Sequence, residues 1–268
     1  MQRTDYRLIM HYGFVVPWAD ADEIGDLAAT AEDAGWDGLF VWEPVWGVDA
    51  WIALGLAAVR TSHIRLGTML TPPSRRRPWE LASQVATVDR LSEGRVTLSV
   101  GIGAIDSGFD KFGEECDRKV RAELMDECLD IVTGLWAGQP FRYDGQHYHV
   151  EPTEFPTIGD TVQKPRVPIW CVGMLGRPKS MARALRWDGL LPQTGKDSLP
   201  TLDQIKQIRA EIGDREYDIV IEGAGSQHSP AAWARAGATW WIESMWDAVR
   251  EVDAVLAAND RLLQGPPR

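Results

Sequence analysis

The sequence predicts an α/β fold in which eight parallel strands, alternating with helices, close into a (β/α)8 barrel. Three observations carry this reading. Short apolar runs of strand length alternate with amphipathic runs of helical period along the whole chain. The stretch Ile64–Gly103 lays out one complete strand–loop–helix–turn–strand unit, with a polar, glycine- or proline-bearing loop after each strand. The length of 268 residues, 44% of them apolar, suits one TIM-barrel domain spanning the chain.

The elements follow in order. Leu8–Val16 reads as strand one, Asp20–Gly35 as an amphipathic helix, Gly38–Trp42 as strand two and Asp49–Thr61 as the next helix. Ile64–Met69 is strand three, ended by Thr71-Pro72-Pro73 because proline cannot continue a central ladder. Pro78 opens a helix at its first turn, with Trp79, Leu81, Ala82, Val85, Ala86, Val88 and Leu91 as its apolar stripe and Gly94 as a left-handed cap. Val96–Val100 is strand four, followed by Gly101 and Gly103, and Lys119–Leu135 is a long helix. Gln139–Val150, with Asp144-Gly145 at its centre, reads as a hairpin with a tight primed turn. With the proline-punctuated loop after it, this forms an insertion of about residues 137–166 across the barrel mouth. Val167–Val172, Gly189–Leu191, Asp218–Glu222 and Ala238–Glu243 are strands five to eight. The helices Lys179–Arg186, Leu202–Ile212 and Pro230–Ala236 lie between them, and Trp246–Ala257 closes the pattern.

A net charge of −11 argues against nucleic-acid and anionic-membrane partners. No apolar run approaches membrane-spanning length and no leader is evident, so a cytoplasmic protein is expected. Cys116, Cys128 and Cys171 are odd in number and widely spaced, which suits neither a disulfide framework nor a zinc site. No metal is expected: His147 and His149 alternate on the hairpin without evident further ligands. The thirteen tryptophans are unusual; most should be core, while Trp18, Trp42, Trp46 and Trp241 hint at an aromatic substrate pocket.

The run from Arg65 to Val96 carries R-L-G-T-x-x-T-P, R-x-P, L-A and T-x-D-x-L-S-x-G-R-V in order and without gaps. On these motifs the chain resembles the bacterial luciferase-like flavin-dependent oxidoreductases, barrels that use FMN or the deazaflavin coenzyme (F-420). The resemblance implies a cofactor site at the carboxyl ends of the strands. Thr68, Met69, Leu70 and Thr71 would lie against the ring, with a non-proline cis peptide at Thr68–Met69 or Met69–Leu70. Gly101 and Gly103 follow the next strand. Gly173, Met174, Gly176 and Arg177 would approach the phosphate end; relatives often carry a second glycine where Met174 stands. Gln193-Thr194-Gly195-Lys196 is similar to the T-x-G-K stretch of deazaflavin-dependent sugar-phosphate dehydrogenases, with Lys196 as the phosphate cation. Arg75, Arg76 and Arg77 either anchor a solvated loop or help hold a polyanionic coenzyme tail.

The reacting groups depart from well-known members. Where many deazaflavin enzymes have Asp-His, this chain has Glu43-Pro44, and Ala104 stands where the sugar-phosphate dehydrogenases carry a glutamate donor. Glu43 is a polar contact or, if buried beside Trp42 and Trp46, a proton-transfer group with a raised pKa. His11, Glu222 and Glu243 are the other candidate acid–base residues, and each is equally readable as structural. The missing dehydrogenase groups tilt the reading toward a monooxygenase using reduced FMN, with a deazaflavin hydride-transfer enzyme as the alternative. A small organic substrate is expected. With FMN a separate flavin reductase is implied, because no G-x-G-x-x-G fingerprint is present. A barrel that binds flavin without turnover is a further reading. So is an unrelated sugar-phosphate barrel using the loop Gly223-Ala224-Gly225-Ser226. The resemblance implies a homodimer.

Overall fold

The computed structural model describes residues 9–16, 18–104, 107–155, 160–195, 199–223, 226–246 and 253–267. Eight parallel strands form a closed barrel in the order β1-β10-β9-β8-β7-β4-β3-β2. They are β1 (His11–Val16), β2 (Gly38–Val41), β3 (Arg65–Thr68), β4 (Val96–Val100), β7 (Ile169–Met174), β8 (Gly189–Gln193), β9 (Asp218–Glu222) and β10 (Trp240–Ser244). β5 (Phe141–Asp144) and β6 (His149–Thr153) form a separate antiparallel pair.

The helices begin where local chemistry satisfies their free N–H groups. Asp20 caps α1 (Ala21–Asp33) and forms a reciprocal capping box with Glu23. Asp49 caps α2 (Ala50–Arg60), Pro78 opens α3 (Pro78–Leu91) and Asp117 caps α4 (Arg118–Ala137). The shorter α5 (Pro178–Leu185), α6 (Leu202–Ile212) and α7 (Pro230–Ala236) follow β7, β8 and β9. The last described helix, α8, spans Ala254–Leu263, later than the hydrophobic pattern suggests; residues 247–252 of the expected helix lie outside the described residues. On α3 the stripe from Leu81 to Val88 is buried, but Trp79 and Leu91 at its ends stand 46% and 47% exposed.

The hairpin differs from expectation. Asp144 pairs with His149, so residues 145–148 form a four-residue loop rather than a two-residue turn. Glu127 of α4 holds this loop by accepting backbone N–H groups of Gln146, His147 and Tyr148. The carboxylate adds to the turn's own backbone bond, Gly145 N–H to Tyr148 O at 2.9 Å. Behind it, buried Asp89 of α3 accepts from the N–H groups of Val162 and Gln163 and from the Gln163 amide, tying the end of the insertion to the barrel wall.

Strand periodicity of two sends alternate side chains to the barrel interior and to the helix layer. Inside, Phe40, Trp170 and Trp240 pack with ring centroids 5.2–5.9 Å apart. Three rings of this size fit only because the neighbouring inward positions carry no side chain. A Cβ at Gly189 would overlap the Trp170 indole, and one at Gly38 would sit 2.9 Å from both Phe40 and Trp240. Val15, Leu191, Val220 and Ile242 pack above the rings, so the barrel has a solid apolar floor beneath its mouth.

Candidate active site at the barrel mouth

Above that floor lies a pocket of about 140 Å³. Its walls come from the carboxyl ends of the strands and the loops after them. Met69 and Leu70 follow β3, Val172 is on β7, Leu191, Pro192 and Gln193 end β8, and Val220, Ile221 and Glu222 end β9. Ile242 of β10, with Leu199, Pro200 and Trp246 from loops, completes it. The Met69–Leu70 peptide is cis, at one of the two expected positions. Gly101 backs this wall: a Cβ there would lie 3.0 Å from both Leu70 and Val172, so the missing side chain lets the Met69–Leu70 segment seat between two strands.

Thr68 and Thr71 do not face the pocket. Both are fully buried behind the Met69–Leu70 segment, where Thr71 Oγ1 donates to Glu43 Oε2 (2.7 Å) and lies 3.0 Å from Thr68 Oγ1, which donates to Ser99 O. They hold the segment; they are not placed to touch a ligand in the pocket. Glu43 belongs to the same network. Its Oε1 accepts from Arg76 Nε at 3.0 Å and Arg75 Nη2 at 3.3 Å, and only 6% of the residue is exposed. Arg75 also donates to the carbonyls of Glu43 and Pro44 and lies over the Phe109 ring, 5.0 Å from its centroid. Glu43 is thus buried among guanidinium groups, not among tryptophans. Trp46 is 80% exposed, and Trp42 packs edge-on against Trp18. Two of the three clustered arginines are committed to this internal pair and Arg77 is exposed.

Period-two geometry separates the two strand-end glutamates. Glu222 points inward and lines the pocket; its Oε1 accepts from Ser244 Oγ at 2.8 Å and from the Trp246 indole. Glu243 lies at an odd step on the neighbouring strand and points outward to the helix layer. There Arg261 of α8 grips both of its oxygens at 2.7 Å. Trp241 faces outward for the same reason and packs over Gly223 in the helix-side core, away from the substrate pocket. His11 also departs from its candidate role. It is the first residue of β1, at the amino end, stacked on Trp240 with centroids 4.9 Å apart and 3.7 Å from Asp37.

That amino-terminal face carries a second cavity of about 560 Å³, lined by His11, Asp37, Arg65 and Asp218 among others. Burial pushes the Asp218 carboxyl above the usual carboxylate range, although Trp170 Nε1 (3.0 Å) and Thr239 Oγ1 (2.8 Å) donate to it. Burial likewise lowers the Arg65 guanidinium. The amino-terminal end of such a barrel lies away from the face that carries its chemistry.

The phosphate-side candidates are partly on the mouth. Gly176 has φ +76° with open space around it and Arg177 is exposed at the start of α5. Gly173 serves a different purpose: its absent Cβ would overlap Leu190, so it lets α5 approach the strand. Met174 N–H donates to Ser180 Oγ, folding the loop onto the helix start. Gly103 has φ +74° beneath the Phe109 ring, so it shapes the loop after β4. Gln193 lines the pocket, Gly195 lies open with φ +145°, and Thr194 is engaged with a neighbour. Lys196, Ala224, Gly225 and Asp106 lie outside the described residues. His147 and His149 pair separately with Glu123 and Asp144, and among the described residues no group of three metal-ligating side chains occurs. Burial pushes the Cys128 and Cys171 thiols up to about 12, so neither is a poised nucleophile. No described helix is long and apolar enough to cross a membrane.

An apolar pocket with a cis-peptide wall and an amide edge at Gln193, with an open glycine–arginine turn after β7, offers the kinds of groups a flavin-type ring and its phosphate-bearing tail require. Comparison with known proteins agrees. A model of the luciferase-like monooxygenase family matches residues 9–263. The chain belongs to this family. The F420-dependent glucose-6-phosphate dehydrogenase of Nakamurella multipartita is 30% identical over 183 residues, 65% of this chain and 52% of that protein. The chain therefore spans about half the length of that curated relative. Among solved structures, the coenzyme F420-dependent tetrahydromethanopterin reductase of Methanopyrus kandleri superposes with a TM-score of 0.74 at 16% identity, covering 96% of this chain and 98% of that one. The oxygenating constituent of 3,6-diketocamphane monooxygenase from Pseudomonas putida, in complex with FMN, gives 0.62 at 19% identity, covering 80% and 67%. At such identities these two likenesses concern the fold.

The sequence reading missed most of the pocket wall: Val172, Leu191, Val220, Ile242, Leu199, Pro200 and Trp246. The signal was present for two of them. Counting in twos from the inward tryptophans Trp170 and Trp240 reaches Val172 and Ile242.

Proposed function

We propose that this luciferase-like barrel is an oxidoreductase that seats a deazaflavin against the Met69–Leu70 wall and acts on a small organic substrate in the pocket above. The observation that carries the reading is the cis Met69–Leu70 peptide forming one wall of an apolar pocket at the carboxyl ends of the strands. The deazaflavin is favoured over FMN because the curated relative over most of this chain is F420-dependent. When bound, the cofactor supplies the hydride chemistry. The chain supplies position: Gly101 and Leu70 shape the wall, Gln193 offers an amide to the ring edge, and Gly176-Arg177 offers an open turn and a cation to the tail.

A second reading, an FMN monooxygenase with a separate reductase, is favoured by one observation. Pro44 and Ala104 occupy positions where deazaflavin dehydrogenases carry acid–base groups. Fluorescence titration of the purified chain with each cofactor, oxidised and reduced, separates the two. Micromolar binding of deazaflavin alone supports the first, and binding of FMN alone, tighter when reduced, supports the second. If neither binds, both fail. A homodimer in the cytoplasm belongs to the same proposal and is read by light scattering and by fractionation of cells.

A further inference from the structure

The cavity at the amino end of the barrel holds two opposite charges that the protein does not join. Gly67 faces Phe40 and Val220 belongs to the interior cluster; counting back by two from each reaches Arg65 and Asp218. Both side chains therefore point into the barrel below its aromatic floor, where they line the cavity. Arg65 uses one nitrogen: Nη1 donates to Thr97 Oγ1 at 2.8 Å. Its Nε and Nη2 have no partner among the described residues and are not sealed off, unlike the orphaned Nε of Arg75. That leaves a planar edge of two N–H groups, able to grip a carboxylate, open on the cavity. Asp218 takes one donor on each oxygen, from Thr239 Oγ1 and Trp170 Nε1, and each oxygen keeps a second lone pair. Each of the two groups feels the other's charge, yet among the described residues neither makes an ion pair. The neighbouring charges on this face already stand beside partners: Arg166 with Asp188, Lys164 with Asp160 and His11 with Asp37.

Burial disfavours both charges, raising the Asp218 carboxyl and lowering the Arg65 guanidinium, and a counter-charge from outside would relieve each. A lone anion answers only Arg65, and a lone cation only Asp218. At about 560 Å³ the space lies within the roughly 300–1,000 Å³ of small-molecule sites, and Trp240, Pro165 and Pro168 give it apolar walls. We infer that the amino-end cavity is a binding site for a small zwitterion of the α-amino-acid type, its carboxylate on the open edge of Arg65, its ammonium on Asp218 and its side chain against Trp240. The aromatic floor separates this site from the mouth, so the ligand is not the substrate, and the inference stands apart from the oxidoreductase reading.

The test is a binding series on the full 268-residue chain at pH 7, read by calorimetry and by NMR of the tryptophan indole N–H groups. The probes are glycine, leucine and phenylalanine, with phenethylamine and 3-phenylpropionate as the one-charge analogues of phenylalanine. Phenylalanine should bind at least about tenfold more tightly than either analogue, because each analogue lacks one charge-assisted contact. Binding should shift the indole signals of Trp170, which donates to Asp218, and of Trp240, and leave that of Trp246 at the mouth in place. Arg65→Gln should cut phenylalanine and 3-phenylpropionate affinity about tenfold or more and leave phenethylamine within about threefold; Asp218→Asn should do the converse. If a variant folds poorly, the wild-type affinities and indole shifts decide alone. No zwitterion bound at about 20 mM, phenylalanine bound no more tightly than an analogue, or a shift at Trp246 in place of Trp170 overturns the inference. Residues 1–8 are present throughout, so a cavity that they fill reads out as no binding.

Discussion

Replacing Glu43 by glutamine separates a structural carboxylate from a catalytic one. In the fold Glu43 is buried, with side-chain exposure of 4%, and Arg75 is nearly as buried at 8%. Glutamine keeps the shape and still offers an oxygen to Thr71. It removes the charge opposite two guanidiniums at 3.0 and 3.3 Å and turns one donor toward another. Breaking a buried pair costs about 3–5 kcal/mol, because the surviving charge is left uncompensated. Arg75 keeps its bonds to the carbonyls of Glu43 and Pro44, and Arg76 keeps Gln84, which places the expected loss near the lower end, about 3 kcal/mol. On a chain of this size that lowers the melting midpoint by about 5–6 °C. The double variant Glu43→Gln/Arg75→Met should lose less than the sum of its parts, since it leaves no lone guanidinium at that position. Scanning calorimetry with urea unfolding measures all three proteins. A Glu43→Gln chain that melts within about 2 °C of wild type, or losses that simply add, would refute the ion-pair account and return Glu43 to the acid–base candidates.

Three further outcomes follow from the same geometry. Gly189→Ala forces a methyl into the Trp170 indole, so it should cost about 1–3 kcal/mol in urea unfolding, and Trp170→Leu in the same chain should recover part of it. Arg261→Met should cost about 2 kcal/mol by freeing α8 from Glu243, yet leave cofactor affinity within about twofold, because neither side chain reaches the pocket. Asp218 is held above its ordinary carboxylate range by burial. Between that ordinary value and the raised one the folded chain binds more protons than the unfolded chain, so this group makes stability fall as pH rises through that window. Asp218→Asn should remove that component of the slope in urea titrations from pH 4 to pH 8; an unchanged slope would show that burial is not setting the group's protonation.

The barrel was legible because its signals are periodic and local. Caps at Asp20 and Asp49, proline at the start of α3 and apolar runs of strand length mark the ends of elements with little help from tertiary contacts. The hairpin turn was misplaced by two residues: Asp144 pairs in the strand, Gly145 bonds Tyr148, and Glu127, distant in sequence, holds the amides of the reversal at Gln146 and His147. The site was half legible. Motif positions located Met69, Leu70 and Gln193, and strand-end position located Glu222. Which way Glu243, Trp241 and Thr68 point depends on the parity of each strand, which a one-residue uncertainty in register inverts. The Glu43–Arg75–Arg76 cluster joins residues more than thirty positions apart, so its charges look solvated until the loops are folded together.

The ring-filled floor has a consequence for traffic. Trp240 lines the cavity on the amino side, Ile242 lines the mouth pocket, and Phe40 and Trp170 fill the barrel beside them, so the two spaces share no lining residue. The barrel is a cup and not a tube. Whatever enters the mouth leaves by the mouth, so the guest seated deepest against Met69 and Val220 arrives first and departs last.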